Sequence, residues 1–123
     1  MKDTRPVNLD IGTIKLPITA YASILHRISG VFLFVAIGVM IYALDLSLSS
    51  EAAFASIASI MSSAVVKLIV WAVLAGLIYH SVAGVKHLIM DMGYGESYEG
   101  GVLGSRITFA VSAVLIALAG MWV

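Results

Sequence analysis

The sequence predicts an all-α integral membrane protein that crosses the bilayer three times, and three observations carry that prediction. The chain of 123 residues is 61% hydrophobic and 11% charged, with a mean hydropathy of +1.06. Soluble domains run near 45–50% apolar and about 25% charged, and a globule this small could not hide the excess. The charges are also clustered: 17 residues without a formal charge separate Arg27 from Asp45, 18 separate Lys67 from Lys86, and 17 follow Arg106. Each gap is about 26 Å of helix, which flanking residues extend to the roughly 30 Å of a hydrocarbon core. Finally, the apolar runs show no ten-residue alternation, so the backbone must satisfy itself as helices rather than as a barrel.

The elements follow in order. Residues 1–14 hold Asp3, Pro6, Asn8 and Asp10 and no apolar stretch, which argues against a signal peptide. The first span is placed at about 21–47, the second at 65–91 and the third at 105–123, all in one domain covering 1–123. Between the first two spans Phe54, Ile57, Met61 and Val65 recur at helical spacing opposite Ser56, Ser59 and Ser63, the pattern of a short interfacial helix. Residues 93–104 contain five glycines with Glu96 and Glu99 among them, which reads as a loop, and Ser105 is then placed to cap the third helix.

Charge sets orientation and excludes several functions. Lys2, Arg5, Lys15 and Arg27 precede or open the first span and Lys86 and Arg106 border the second loop, against Lys67 alone on the other side. That distribution puts the N-terminus in the cytoplasm (in the matrix for an organelle) and the C-terminus outside. Seven basic residues balance seven acidic ones, so no basic field is available for nucleic acid. Without cysteine the chain offers no disulfide, thiolate metal site or cysteine nucleophile.

Within the spans the informative residues are those that cost energy in lipid. His80, Gly84, His87 and Asp91 share one face of the second span, and Ser23, Arg27 and Gly30 share one face of the first, with His26 beside them and Gly38 further along. Simple readings account for most of these. Arg27, His26 and His87 can snorkel, Lys67 and Lys86 can anchor at the interface, and Gly30, Gly38 and Gly84 can mark close helix packing. His80 is different, because it lies 13 residues from Lys67 and 11 from Asp91. At that depth, roughly 16–20 Å from either end, an imidazole cannot reach water. An intramembrane ionisable group is by default a functional candidate, and a neutral imidazole followed by glycine four residues on offers a nitrogen to haem iron and no side chain in the way of the ring. The competing reading is a histidine hydrogen-bonded to a neighbouring helix.

If His80 binds haem, the other axial ligand must face it across the iron. His87 is about 10 Å further along the same helix, which excludes that pair. His26 is expected near the depth of His87 rather than of His80. The second ligand would then come from another polypeptide.

The same residues carry a family resemblance. Residues 5–29, RPVNLDIGTIKLPITAYASILHRIS, with Ser23, His26, Arg27 and Ser29, resemble the first signature of the cytochrome b membrane-anchor subunit of succinate dehydrogenase, respiratory complex II. Residues 80–93, HSVAGVKHLIMDMG, resemble the second, except that Lys86 stands where the family usually has arginine. The resemblance implies a heterodimeric helical bundle with a second small anchor subunit, which supplies the histidine opposite His80, the haem b iron ligand. It implies that His26 and Arg27 lie near the haem propionates, with Gly30, Gly84 and His87 also lining that haem. Ser23 and Arg27 would act on ubiquinone, lined by Leu16 and Ile24, and Asp91 is a candidate for proton uptake. Flavoprotein and iron–sulfur subunits would oxidise succinate, in a bacterial inner membrane, as part of the tricarboxylic acid cycle and aerobic respiration. Two other classes remain open at this point: a purely structural anchor, and a small transporter subunit with His80 and Asp91 as a proton path. The transporter reading is weakened by the absence of a charged pair or broken helix at midplane.

Overall fold

A computed structural model describes residues 7–123 and is all-helical over them: α1 (Ile18–Ser49), α2 (Glu51–Met61), α3 (Ala64–Asp91) and α4 (Tyr98–Trp122). Lys2, Asp3, Arg5 and Pro6, used above for orientation, the signal-peptide reading and the first signature, lie outside the described residues. Three helices, α1, α3 and α4, are long and apolar enough to span a membrane. At 32, 28 and 25 residues they reach about 48, 42 and 38 Å, so their ends enter the headgroup layers or the helices tilt.

Before α1, Asn8, Asp10 and Thr13 close a side-chain-stapled turn, with the Asp10 and Gly12 amides donating to Asn8 Oδ1 and Asp10 Oδ1. Pro17 then occupies the cap position, and its carbonyl accepts from Ala20 and Tyr21. A proline at a helix entry has no amide to lose, so α1 begins three residues earlier than expected. The short helix is present as α2, capped by the Ser50 hydroxyl on the Ala53 amide at 3.0 Å. Val65 belongs instead to α3, because Ser62 ends α2 and the Ser63 hydroxyl caps the next helix on the Val66 amide.

The largest departure concerns α4. The third helix starts at Tyr98 rather than Ser105, and its N-cap is Ser97, whose hydroxyl accepts from the Gly100 amide. Ser105 sits about two turns inside the helix, fully buried, and its hydroxyl donates to the Gly101 carbonyl at 2.9 Å. The glycine-rich stretch misled because Gly100, Gly101 and Gly104 serve packing rather than a turn. A Cβ on Gly100 would come within 2.8 Å of the Gly95 backbone, and one on Gly104 would meet the Lys86 stem at 3.5 Å. Among the described residues only Gly93 (φ 91) and Gly95 (φ 70) adopt the left-handed conformation, and the turn between α3 and α4 is correspondingly short.

The three long helices run antiparallel in succession, with α3 packed against both α1 and α4, and α1 also touching α4. The buried residues are mostly small: Ala22, Ser29, Ala83, Gly101, Ser105, Thr108 and Ser112, with Leu33 the one large apolar side chain among them. On α4 the four fall at a spacing of four, three and four, a single face that lets helices approach closely. The Thr108 hydroxyl bonds back to the Gly104 carbonyl, whereas the buried Ser112 hydroxyl has no partner among the described residues. The chain exposes 9390 Å², well above the about 6,300 Å² of a compact soluble chain of this mass, with Phe34, Leu48, Met121 and Trp122 each three-quarters exposed or more. Such a surface suits an apolar surrounding such as lipid.

Candidate functional site

The site is built where the middle of α3 meets the first half of α1. His80 lies 11 residues from the C-terminal end of α3, about 16 Å of helix, and Ser29 and Gly30 lie a similar distance into α1. Gly30 brings the helices together at this level, since a Cβ there would stand 3.2 Å from His80 Cε1. The His80 Nδ1 is 2.9 Å from the Ser29 hydroxyl and 3.1 Å from the His26 carbonyl oxygen. The Ser29 hydroxyl, on a residue 8% exposed, also lies 2.7 Å from that carbonyl, to which it donates.

The imidazole of His26 stacks on that of His80, with centroids 4.1 Å apart and planes within 8°. It also meets His87 edge-on at 5.1 Å. His26 is therefore not confined to the level of His87, as the count of residues from the charged ends suggested. α1 begins earlier than expected, and an imidazole spans enough of a turn to touch both neighbours on α3. Gly84 leaves the room for this: a Cβ there would be 3.7 Å from His26 Nε2. The three rings stack and abut instead of converging on a point, and among the described residues no cluster of three or more His, Cys, Asp or Glu is arranged to hold a metal ion.

The remaining sequence-derived candidates spread outward from this cluster. Ser23 is half-buried one turn before Arg27 on α1, and Arg27 is exposed. Ile24 is 41% exposed, Leu16 is half-buried in the segment before α1, and Asp91, the last residue of α3, is exposed. A Cβ on Gly38 would meet nothing within 4 Å, so this glycine forms no packing ridge with the described residues. Two surface cavities, of about 300 and 420 Å³, lie elsewhere: one between α3 and α4 beside Lys86, Ile89 and Tyr94, the other beside Lys67, Trp71 and Gly120. Neither is lined by His80, Ser23 or Arg27. Lys86, expected at the interface, instead reaches across to α4 and donates to the Ser105 hydroxyl at 2.9 Å.

Several structural partners were not singled out from the sequence. Tyr79 donates its hydroxyl to the Ala22 carbonyl at 2.6 Å and stacks with Phe109, tying α1, α3 and α4 together one residue before His80. Ser29 appeared only as a letter of the first signature. Its position three residues after His26 is the usual spacing for a hydroxyl bonding back to a helix carbonyl, and that was the available signal.

A family model described as succinate dehydrogenase/fumarate reductase transmembrane subunit matches residues 1–119. The chain belongs to that family. A succinate dehydrogenase cytochrome b556 subunit from Coxiella burnetii is 38% identical, covering 100% of this chain and 99% of its own length. Subunits of the same name from Paracoccus denitrificans (32% identical, 95% of this chain and 90% of the relative) and Rickettsia felis (33%, 77% and 73%) are also similar. Membership of the succinate dehydrogenase family makes the three apolar helices those of a membrane subunit that pairs with the other subunits of that complex.

Proposed function

We propose that this chain is the haem b- and ubiquinone-binding anchor of a succinate:ubiquinone oxidoreductase, in a bacterial inner membrane with its N-terminus cytoplasmic and C-terminus periplasmic. The observation that carries the reading is His80: a half-buried imidazole at mid-span, seated by its Nδ1 on α1, in a relative of proteins named cytochrome b556. The donor chemistry fits half of a bis-imidazole site. His26 and His80 lie parallel and face to face, so they could not both ligate one iron, and a second imidazole would come from a second anchor subunit. When bound, the haem supplies one-electron storage within the membrane.

The residues of the chain divide the remaining work. His80 would supply the iron ligand of a bound haem, with His26 and Arg27 at its propionates and Gly30, Gly84 and His87 shaping the pocket. Ser23 and Arg27, one turn apart on α1, present a hydroxyl and a guanidinium to a quinone carbonyl, where negative charge grows as electrons arrive from the iron–sulfur subunit. Leu16 and Ile24 exclude water beside them, and Asp91 at the end of α3 takes up protons. Lys15, Arg27, Lys86 and Arg106 gather at the end where α1 and α4 begin and α3 ends, against Lys67 at the other, which supports the orientation. The whole chain acts as one anchoring unit.

Purification of the tagged chain tests the proposal. It is expected to bring down a flavoprotein, an iron–sulfur protein and a second small hydrophobic subunit, with sharp reduced bands of a six-coordinate b-type haem. In that complex Ser23→Ala and Arg27→Leu are each expected to cut succinate-to-quinone electron transfer about 10- to 1000-fold, by analogy with other lost donors to developing charge. Reduction of an artificial acceptor by the soluble subunits should be spared. Normal quinone reduction in both variants, with haem content intact, would move the quinone site off this face. For orientation, Gly95→Cys should label from the cytoplasmic side and Val123→Cys from the periplasmic side.

A further inference from the structure

The hydrogen bonds around His80 bear on which of its nitrogens carries the proton. The carbonyl oxygen of His26 can only accept, so at 3.1 Å from Nδ1 it calls for a hydrogen on that nitrogen. The Ser29 hydroxyl has one hydrogen, and at 2.7 Å it is committed to the same carbonyl. At 2.9 Å from Nδ1 the Ser29 oxygen is therefore an acceptor as well. With the Ser29 hydrogen given to the carbonyl, both neighbours of Nδ1 are acceptors, the arrangement that suits a neutral ring with its proton on Nδ1 and its lone pair on Nε2.

We propose that Ser29 is a positioning residue that fixes His80 as the Nδ1–H tautomer, aims Nε2 at the haem iron and sets the haem potential. The inference rests on His80 being the iron ligand. Three features make the seat specific. Ser29 is buried, so water does not compete for the bond; its hydroxyl is oriented by its own helix; and Gly30, the next residue, lets the imidazole come to the α1 backbone. A hydrogen bond from the far nitrogen of a ligating imidazole raises its basicity and favours the more oxidised metal. The Ser29 oxygen thus stabilises ferric over ferrous haem, and its removal raises the potential. With a net hydrogen bond of ordinary strength the change in the ferric/ferrous equilibrium is roughly 2- to 10-fold, or about 20–60 mV at 59 mV per tenfold for one electron.

Redox titration of the haem in the purified complex tests this without reference to turnover. Ser29→Ala is expected to shift the midpoint upward by that amount at full haem content, and Ser29→Thr, which keeps a hydroxyl, to stay near the unsubstituted value. An unchanged or lowered midpoint in Ser29→Ala overturns the proposal. Haem lost from Ser29→Ala but kept in Ser29→Thr supports it, because only the hydroxyl separates the two; haem lost from both overturns it, since the role of Ser29 would be its volume. His80→Leu separates the two layers of argument. If that variant kept an unaltered b-type spectrum, the ligand assignment itself would fall, whereas loss of the spectrum with an indifferent Ser29→Ala would sink only the role of Ser29.

Discussion

The two halves of α3 are joined to their neighbours by different chemistry. In the half that carries His80 and His87, the contacts are polar: imidazole to hydroxyl and carbonyl, imidazole on imidazole, Tyr79 to the Ala22 carbonyl and Lys86 to Ser105. In the half nearer its start, aromatic rings lie on glycines. Trp71 donates its indole N–H to the Ile116 carbonyl at 2.8 Å and packs where a Cβ on Gly120 would be 2.9 Å away, and Phe32 occupies the same relation to Gly76. Glycine and aromatic packing holds helices together adequately, and polar contacts between spans average only about 0.6 kcal/mol. Three histidines at this price in desolvation are therefore not explained by cohesion, and the difference between the halves marks the first as the working end.

The sharpest test of that division is His80→Leu, which is expected to abolish or strongly perturb the b-type spectrum of the complex, while His87→Ala retains a six-coordinate haem; reduced-minus-oxidised spectra of both decide it. A smaller effect is expected in the aromatic half. Gly120→Ala should push the Trp71 ring from its seat and destabilise the subunit by about 1–3 kcal/mol, as overpacking generally does, with the haem bands unmoved because Trp71 is about 13 Å of helix from His80. Thermal dissociation of the complex, followed beside its spectrum, reports both. A Gly120→Ala complex with altered haem bands would break the comparison by showing that the two halves are coupled. The smallest effect is assigned to Ser105→Ala, which removes the Lys86 contact at a cost of about 0.6 kcal/mol in the same dissociation assay. Were Ser105 a helix cap, the loss would be nearer about 1 kcal/mol with fraying of the α4 start.

The sequence made the spans legible because charge and hydropathy are averaged over many residues, so the gaps around Arg27, Lys67, Lys86 and Arg106 could hardly mislead. The short α2 was legible for the same periodic reason. The start of α4 was not, because Gly100, Gly101 and Gly104 look alike whether they bend a loop or let a helix pack, and only the presence of Lys86 and Thr19 against them distinguishes the cases. Ser105 illustrates the point: a serine before an apolar run suits a cap, yet it is buried against Lys86. The face His80 shares with Gly84 and His87 could be read from spacing along one helix. The stacking of His26 on His80 and the contact of Ser29 with His80 could not, since both depend on the register between α1 and α3, which is set by packing at Gly30; only the bond of Ser29 back to the His26 carbonyl has a signature within one helix.

The small polar face of α4 has a thermodynamic consequence. Gly101, Ser105, Thr108 and Ser112 are buried while Leu103, Ile107, Val114 and Leu118 point outward, the reverse of a helix in a water-soluble bundle. When such helices separate within the bilayer, the surface uncovered meets acyl chains and not water. The large heat-capacity increment of ordinary unfolding comes from hydrating apolar area, and that source is missing here. Dissociation of these helices in lipid should accordingly show a nearly straight dependence of free energy on temperature, with no cold limb.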